Sequence, residues 1–338
     1  MGAPSSRVDP STLRCPRTLK PMDEMAALER IQLMLPGAPA GEVWIGDDAA
    51  VVCPPAGPLL LATDLVVVGV HADLELVGLD DLGWKALAVN VSDLAAMAGR
   101  PERALVSVAG PAGTDIDLLY TGLAAAARDY ACPVVGGDLA NAGTLVVSVA
   151  VTGMVPGGRP VLRSGASAGD TLWATGPLGA SAAGLSYLRA ARTKAAARAG
   201  AATTAAITAA IAAAITAHRR PRARVAEGQV AAVAGATAMI DVSDGLGLDL
   251  DRLAAASGVG VELDEVPIAD GATLQDALGG GEDYELVFAA PDVQAVAGAF
   301  ADAGLPAPIR IGVCTADPSE RRLRGKPLPV TGWQHCFD

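Results

Sequence analysis

This sequence predicts a mixed architecture, α/β in its first half and α+β in its second, on three observations. Helical and strand-like periodicities alternate along most of the 338 residues. Several strand-like runs follow one another with no helix between them. A stretch rich in Gly, Pro and Ser, "PGGRPVLRSGASAGD" (156–170), separates two such series. Alternation without strict repetition argues against a barrel of repeated βα units, and the length allows two domains with cores of their own. Hydrophobic residues make up 51 % of the chain and aromatic ones only 3 %, so those cores must be built from Ala, Val and Leu.

Residues 1–21 lack the apolar central region of a secretory signal and are expected to form a poorly ordered tail. "MDEMAALERIQLML" (22–35) has helical spacing and stops before Pro36 and Gly37. "VWIG", "AAVVCP" and "PLLLATDLVVVGV" then read as strands. "LDDLGWKALAVNVSDLAAMAG" (79–99) reads as a helix that opens on acids and stops at Gly99 before Pro101. Strand "RALVSVAGP", helix "DIDLLYTGLAAAARDYA" and strands "PVVGGD" and "TLVVSVAVTGMV" complete a first domain over 22–157. The second, 158–338, opens with "TLWATGPLG" and carries an alanine-rich insertion around 190–217. Alanine favours helix, and the charge and threonines in that stretch make it a soluble helix or a partly disordered insertion, not a membrane anchor. "AAVAGATAMI" leads into "DVSDGLGLDL", followed by the helix and strand of "LDRLAAASGVGVEL".

With 25 Lys and Arg against 37 Asp and Glu, the net charge is −12, which argues against a nucleic-acid or anionic-membrane partner. It does not exclude phosphate substrates, because divalent cations reverse the sign of a local field. Five scattered cysteines (Cys15, Cys53, Cys132, Cys314, Cys336) and three dispersed histidines offer no soft-metal spacing and suit a cytoplasmic protein with reduced thiols.

The chemistry-bearing pattern is acidic. Asp47 and Asp48 in "IGDDAAVV", Asp64 in "LATDLVVVGVH", Asp93 in "NVSDLAAM", Asp138 in "VVGGDLAN", and Asp241 and Asp244 in "DVSDGLGLDL" repeat one arrangement: a short acid beside an apolar run, usually with Gly, Ser or Thr near. Each alone would suit a turn or helix cap. Several brought together could hold Mg²⁺, which takes one or two protein carboxylates per ion and fills its other places with water and phosphate. No H-E-x-x-H, EF-hand, P-loop, H-R-D or D-F-G pattern is present, so ATP would be handled without a P-loop.

Taken in order, "IGDDAAVV", "ATDLVVVGVH", "KALAVNVSDLAAMAGRP", "VVGGD", "LRSGASAGD", "DVSDGLGLDL" and "LGGGEDYELVF" resemble the thiamine-monophosphate kinase family. The family is part of the superfamily of aminoimidazole ribonucleotide synthetase. The resemblance runs from residue 24 onward and is weakest in the alanine-rich region. It implies an N-terminal α/β domain whose four-stranded sheet forms a barrel across a homodimer, and a C-terminal α+β domain. The implied reaction is direct in-line transfer of the ATP γ-phosphate to thiamine monophosphate, with several Mg²⁺ ions and no phosphorylated enzyme residue.

Position by position, the resemblance assigns Asp48, Thr63, Asp64, Asp93, Asp138, Asp241 and Asp244 to metal. Tyr120, Gly137, Asp138, Arg163 and Ser243 fall at nucleotide contacts, and His71, Glu282 and Trp333 at thiamine phosphate contacts. The types make chemical sense: Arg163 is a planar charged fork for phosphate, and a tryptophan face suits a cationic thiazolium. The chain departs from the family at Ala62, Ala72, Leu139, Ala140 and Cys336. Two other readings remain open at this stage, another ATP-dependent synthetase of the superfamily and a non-catalytic nucleotide-binding regulator.

Overall fold

The computed structural model describes residues 24–45, 48–195 and 205–335. The N-terminal tail, Asp47, Cys15, Cys336 and the middle of the alanine-rich stretch lie outside the described residues. Among them the fold is mixed α/β, built on two sheets.

Four strands form the first sheet: β1 (Leu59–Val67), β2 (Arg100–Gly110), β3 (Val134–Asn141) and β4 (Val146–Met154), in the order β1-β4-β2-β3. β4 is antiparallel to both β1 and β2, so short links suffice there. β2 and β3 are parallel and need a crossover, which helix α3 (Ile116–Asp129) supplies. Alternate residues Leu60, Val66, Val106, Val108, Val147, Val149 and Val151 point to one face. α3 and helix α2 (Leu79–Ala95) cover that face. Helix α1 (Glu24–Met34) closes on α3, with Arg30 paired to Asp117. The opposite face carries Leu59, Leu61, Leu65 and Leu105, all exposed.

The second sheet has the order β11-β10-β7-β9-β5-β8-β6. Its strands are β5 (Thr171–Ala174), β6 (Ala238–Asp241), β7 (Gly260–Leu263), β8 (Leu286–Ala290), β9 (Ile309–Thr315), β10 (Arg321–Leu323) and β11 (Lys326–Pro327). β5, β6 and β8 are buried on both faces, which is why they read as unbroken apolar runs. Leu172, Ile240 and Val287 pack against helix α7 (Leu246–Ser257) on one side. Trp173, Met239 and Phe288 pack on the other against helices α6 (Val225–Val233) and α9 (Val293–Asp302). There Phe288 stacks between Trp173 and Phe300, at centroid distances of 6.4 and 6.1 Å.

One expectation changes. "VWIG" and "AAVVCP" are not strands of the sheet among their described residues; Val43 and Val51 share an isolated bridge. Both valines are exposed, and a short pair without an apolar face to bury has little to hold it. The described alanine-rich residues are helical, in α4 (Ala180–Ala195) and α5 (Ala205–Arg219). The two run antiparallel: Ser181 meets His218, and a Cβ on Gly184 would lie 2.1 Å from the Ala214 carbonyl oxygen. No helix among the described residues is long and apolar enough to cross a membrane.

Helix α2 belongs to both halves. Its first turns lie on the first sheet, while Ala95, with Ala96 and Ala98 just beyond, enters the apolar cluster under the second.

Candidate active site at the seam of the two sheets

Two polar residues of α2 occur where the helix faces this seam. Asn90 and Ser92 interrupt an otherwise apolar run, and both are fully buried. The Asn90 Oδ1 accepts the backbone N–H of Asp64 at 2.7 Å, while its amide donates to the Ala86 carbonyl at 2.8 Å. The Ser92 hydroxyl donates to Asp241 Oδ2 at 2.7 Å. One helix thus ties Asp64, from the first sheet, to Asp241, the last residue of β6 in the second. Asp93 follows directly in α2.

These three carboxylates sense one another. Burial first, then the charges of Asp241 and Asp64, push the Asp93 carboxyl up, with Arg163 opposing. Burial also pushes up Asp241, which is 4 % exposed; the Ser92 hydrogen bond and Arg163 oppose this, and Asp64 adds to it. Asp64 is raised by burial and by Asp244, with His71 opposing. Such carboxylates are short of positive charge.

Asp244 sits on a loop braced by Asp249, whose Oδ2 accepts the backbone N–H groups of Ser243, Asp244 and Gly245 at 3.0, 2.8 and 3.1 Å. Burial raises the Asp249 carboxyl to about 6. Arg252 lies across both acids, 2.5 Å from Asp244 Oδ2 and 2.7 Å from Asp249 Oδ1. A second glycine-rich loop, 279–282, leaves the end of helix α8 (Leu274–Gly279) and presses on this one. A Cβ on Gly245 (φ 120°) would lie 2.8 Å from the Gly279 Cα, and one on Gly281 (φ 67°) 2.7 Å from the Ser243 carbonyl oxygen. Neither close approach leaves room for a side chain.

Glu282 follows on that second loop, its N–H donating to the Ser243 carbonyl at 2.7 Å and its Oε1 accepting from Lys85 Nζ at 2.8 Å. The C-terminal segment joins here: the Trp333 N–H donates to the Asp244 carbonyl at 3.0 Å. His335 stands between Trp333 and His71, with ring centroids 5.9 and 5.2 Å away. His71 accepts the Val67 N–H at Nδ1 (3.0 Å), so its neutral ring carries the proton on Nε2, 3.3 Å from His335 Nε2.

The remaining residues singled out from sequence have other surroundings. Thr63 points to the face opposite Asp64 and donates to the Val149 carbonyl at 2.9 Å. Asp138 is exposed on β3, an edge strand, and Asp48 is exposed beyond Val43 and Trp44. Gly137 has a packing reason, since a Cβ there would lie 1.8 Å from the Val106 carbonyl oxygen. Tyr120 is buried in the core under the first sheet, where its ring packs as core. Lys85, Asn90, Ser92, His218, Asp249 and His335 were not singled out as site residues. For Asn90 and Ser92 the available signal was polarity inside an apolar helical run.

Among the described residues, no three carboxylate, imidazole or thiol groups converge as a ready-made metal site. The donor chemistry nonetheless fits Mg²⁺, which needs only one or two carboxylates per ion when phosphates complete its shell, and Asp64, Asp93 and Asp241 are starved of countercharge.

Comparison with known proteins points one way. Residues 46–155 match the family model for the AIR synthase related protein N-terminal domain, and 167–323 that for its C-terminal domain. A thiamine-monophosphate kinase of Bacillus subtilis is 37 % identical over 258 residues, covering 72 % of this chain and 76 % of that one. That of Salmonella typhimurium is 35 % identical over 313 residues, covering 87 % and 92 %. The thiamine-monophosphate kinase structure from Stenotrophomonas maltophilia superposes with a TM-score of 0.74 at 32 % identity, over 90 % of this chain and 97 % of that one. A structure of AaThiL complexed with AMPPCP and TMP gives 0.71 at 31 % identity, over 94 % and 99 %.

Proposed function

The chain belongs to the thiamine-monophosphate kinase family, and we propose that its acidic seam holds Mg²⁺ against the phosphates of both substrates. The reaction is ATP-dependent phosphorylation of thiamine monophosphate to thiamine diphosphate. The observation that carries the assignment to this seam is the trio Asp64, Asp93 and Asp241, drawn from both sheets and helix α2 and all pushed up by burial. When bound, Mg²⁺ neutralises the phosphate oxygens and the charge that develops as the phosphoryl group moves.

The chain's own residues then have separable tasks. Asp64, Asp93 and Asp241 would hold metal, joined by Asp244 when Arg252 yields it, and the family resemblance assigns Asp48, Thr63 and Asp138 to the same metal set. Arg163, whose charge opposes the rise of Asp93 and Asp241, would bind nucleotide phosphate oxygens as a fixed fork. Gly137, Asp138 and the Ser243 loop would line the nucleotide's path. His71, Glu282 and Trp333 would receive thiamine monophosphate, and transfer would be direct, since positioning and charge neutralisation do most of the work in such reactions.

We also read 22–157 and 158–338 as the two functional domains and the exposed leucine face of the first sheet as a homodimer surface. A cytoplasmic location is part of the same reading. Purified protein given ATP, Mg²⁺ and thiamine monophosphate should release ADP and form thiamine diphosphate, and EDTA should stop both. Product in EDTA would overturn the metal assignment, and no product with all components present would overturn the acceptor.

A further inference from the structure

Lys85 is only 1 % exposed although it lies on a helix whose opening residues, Asp80 and Asp81, are half-exposed acids. Its ammonium reaches Glu282 Oε1 at 2.8 Å, across 197 residues of chain. On the other carboxylate oxygen, Oε2, stands His218 Nδ1 at 3.4 Å, and the same nitrogen is 3.1 Å from the Ser181 hydroxyl. Two elements therefore converge on one side chain, α2 beneath the first sheet and α5 of the alanine-rich hairpin, and the other helix of that hairpin, α4, meets His218 through Ser181.

Stability does not explain this arrangement. A buried ion pair is commonly no better than apolar residues of equal volume, because desolvation offsets the attraction. Glu282 also has φ 58°, a backbone conformation that costs a residue with a side chain and persists only when its surroundings over-determine it. Those surroundings are the Ser243 carbonyl, Lys85 and His218. The Glu282 side chain keeps 28 % of its exposure, so it is gripped from the buried side and open on the other. The charges of Glu282 and Lys85 both reach His71, which adjoins His335 and Trp333.

We propose that Lys85 and His218 are positioning residues for substrate recognition, holding the Glu282 carboxylate so that its open edge accepts a hydrogen bond from the amino-substituted ring of thiamine monophosphate. This rests on the assignment of Glu282 to substrate contact. With Lys85 balancing its charge, Glu282 works as an oriented acceptor, not a free anion, and selects for a neutral N–H donor near the cationic thiazolium. The alanine-rich hairpin thereby has a task, because His218 is in its last turn.

The test is steady-state kinetics of E282Q, K85M, H218L and the K85M/E282Q double variant, with KM and kcat measured separately for each substrate. E282Q should raise KM for thiamine monophosphate by about tenfold while KM for ATP moves less than about twofold. K85M and H218L should shift the same constant in the same direction, and the double variant should be no worse than E282Q alone. Met fills the space of the lysine stem and leaves Glu282 with solvent access; should K85M fail to fold, H218L carries the same expectation. If E282Q raises KM for thiamine monophosphate and the other single variants leave it unchanged, or if the double variant is additive, positioning is overturned while the Glu282 assignment stands. If E282Q itself leaves that KM unchanged, the Glu282 assignment is overturned, and positioning with it.

Discussion

Asp93 and Asp241 are acids placed where acids are costly. Burial first, then Asp241 and Asp64, push Asp93 up to about 8 from an ordinary 3.8. Between those values the folded chain holds a proton that the unfolded chain has lost, so metal-free stability falls as pH rises from about 4 through about 8. In EDTA, D93N should flatten that slope and gain on the order of 1–3 kcal/mol at pH 8, read from denaturant midpoints across pH. Turnover with Mg²⁺ should fall on the order of a hundredfold or more. A variant that keeps the slope, or keeps its rate, would separate Asp93 from the site. The acids could be picked out in sequence because short carboxylates beside apolar runs are conspicuous. Lys85 could not, because a lysine in an amphipathic helix looks like a solvated charge until the packing buries it.

At the scale of elements, the site is two glycine loops pressed together, 243–245 and 279–282, with Asp249 bracing the first. The brace, not the loop alone, positions Asp244. G245A would put a Cβ 2.8 Å from the Gly279 Cα on a backbone at φ 120°. It should cost on the order of 1–3 kcal/mol and weaken activity, as seen by thermal unfolding and by rate. Unchanged stability would mean the loops do not need this approach. Four of the described helices were legible here: α1, α2, α3 and α7 fall where the spacing placed them. The first two strand-like runs were misread, because periodicity registers a strand's composition but not whether a sheet edge waits to pair with it.

For the molecule as a whole, Leu61 is 72 % exposed on the edge strand β1, on a sheet face that also shows Leu59, Leu65 and Leu105. A contiguous apolar face of this kind marks an interaction surface, and a sheet face suits an isologous dimer. Light scattering should therefore give twice 33.8 kDa for the parent chain and a shift toward the single-chain mass for L61D. A parent protein that runs as a monomer would remove this face from the account of the dimer.

The sequence by itself determined the mixed architecture, the absence of a P-loop and the family. These rest on local spacing and on motifs that survive without knowledge of contacts. Tertiary structure decided which acids meet, that Arg252 already holds Asp244, that Tyr120 is core, and that Lys85 is buried. Those outcomes depend on pairs such as Ser92 with Asp241 and Lys85 with Glu282, 149 and 197 residues apart. Burial and countercharge are properties of the residues that arrive from elsewhere, and no window of sequence contains them.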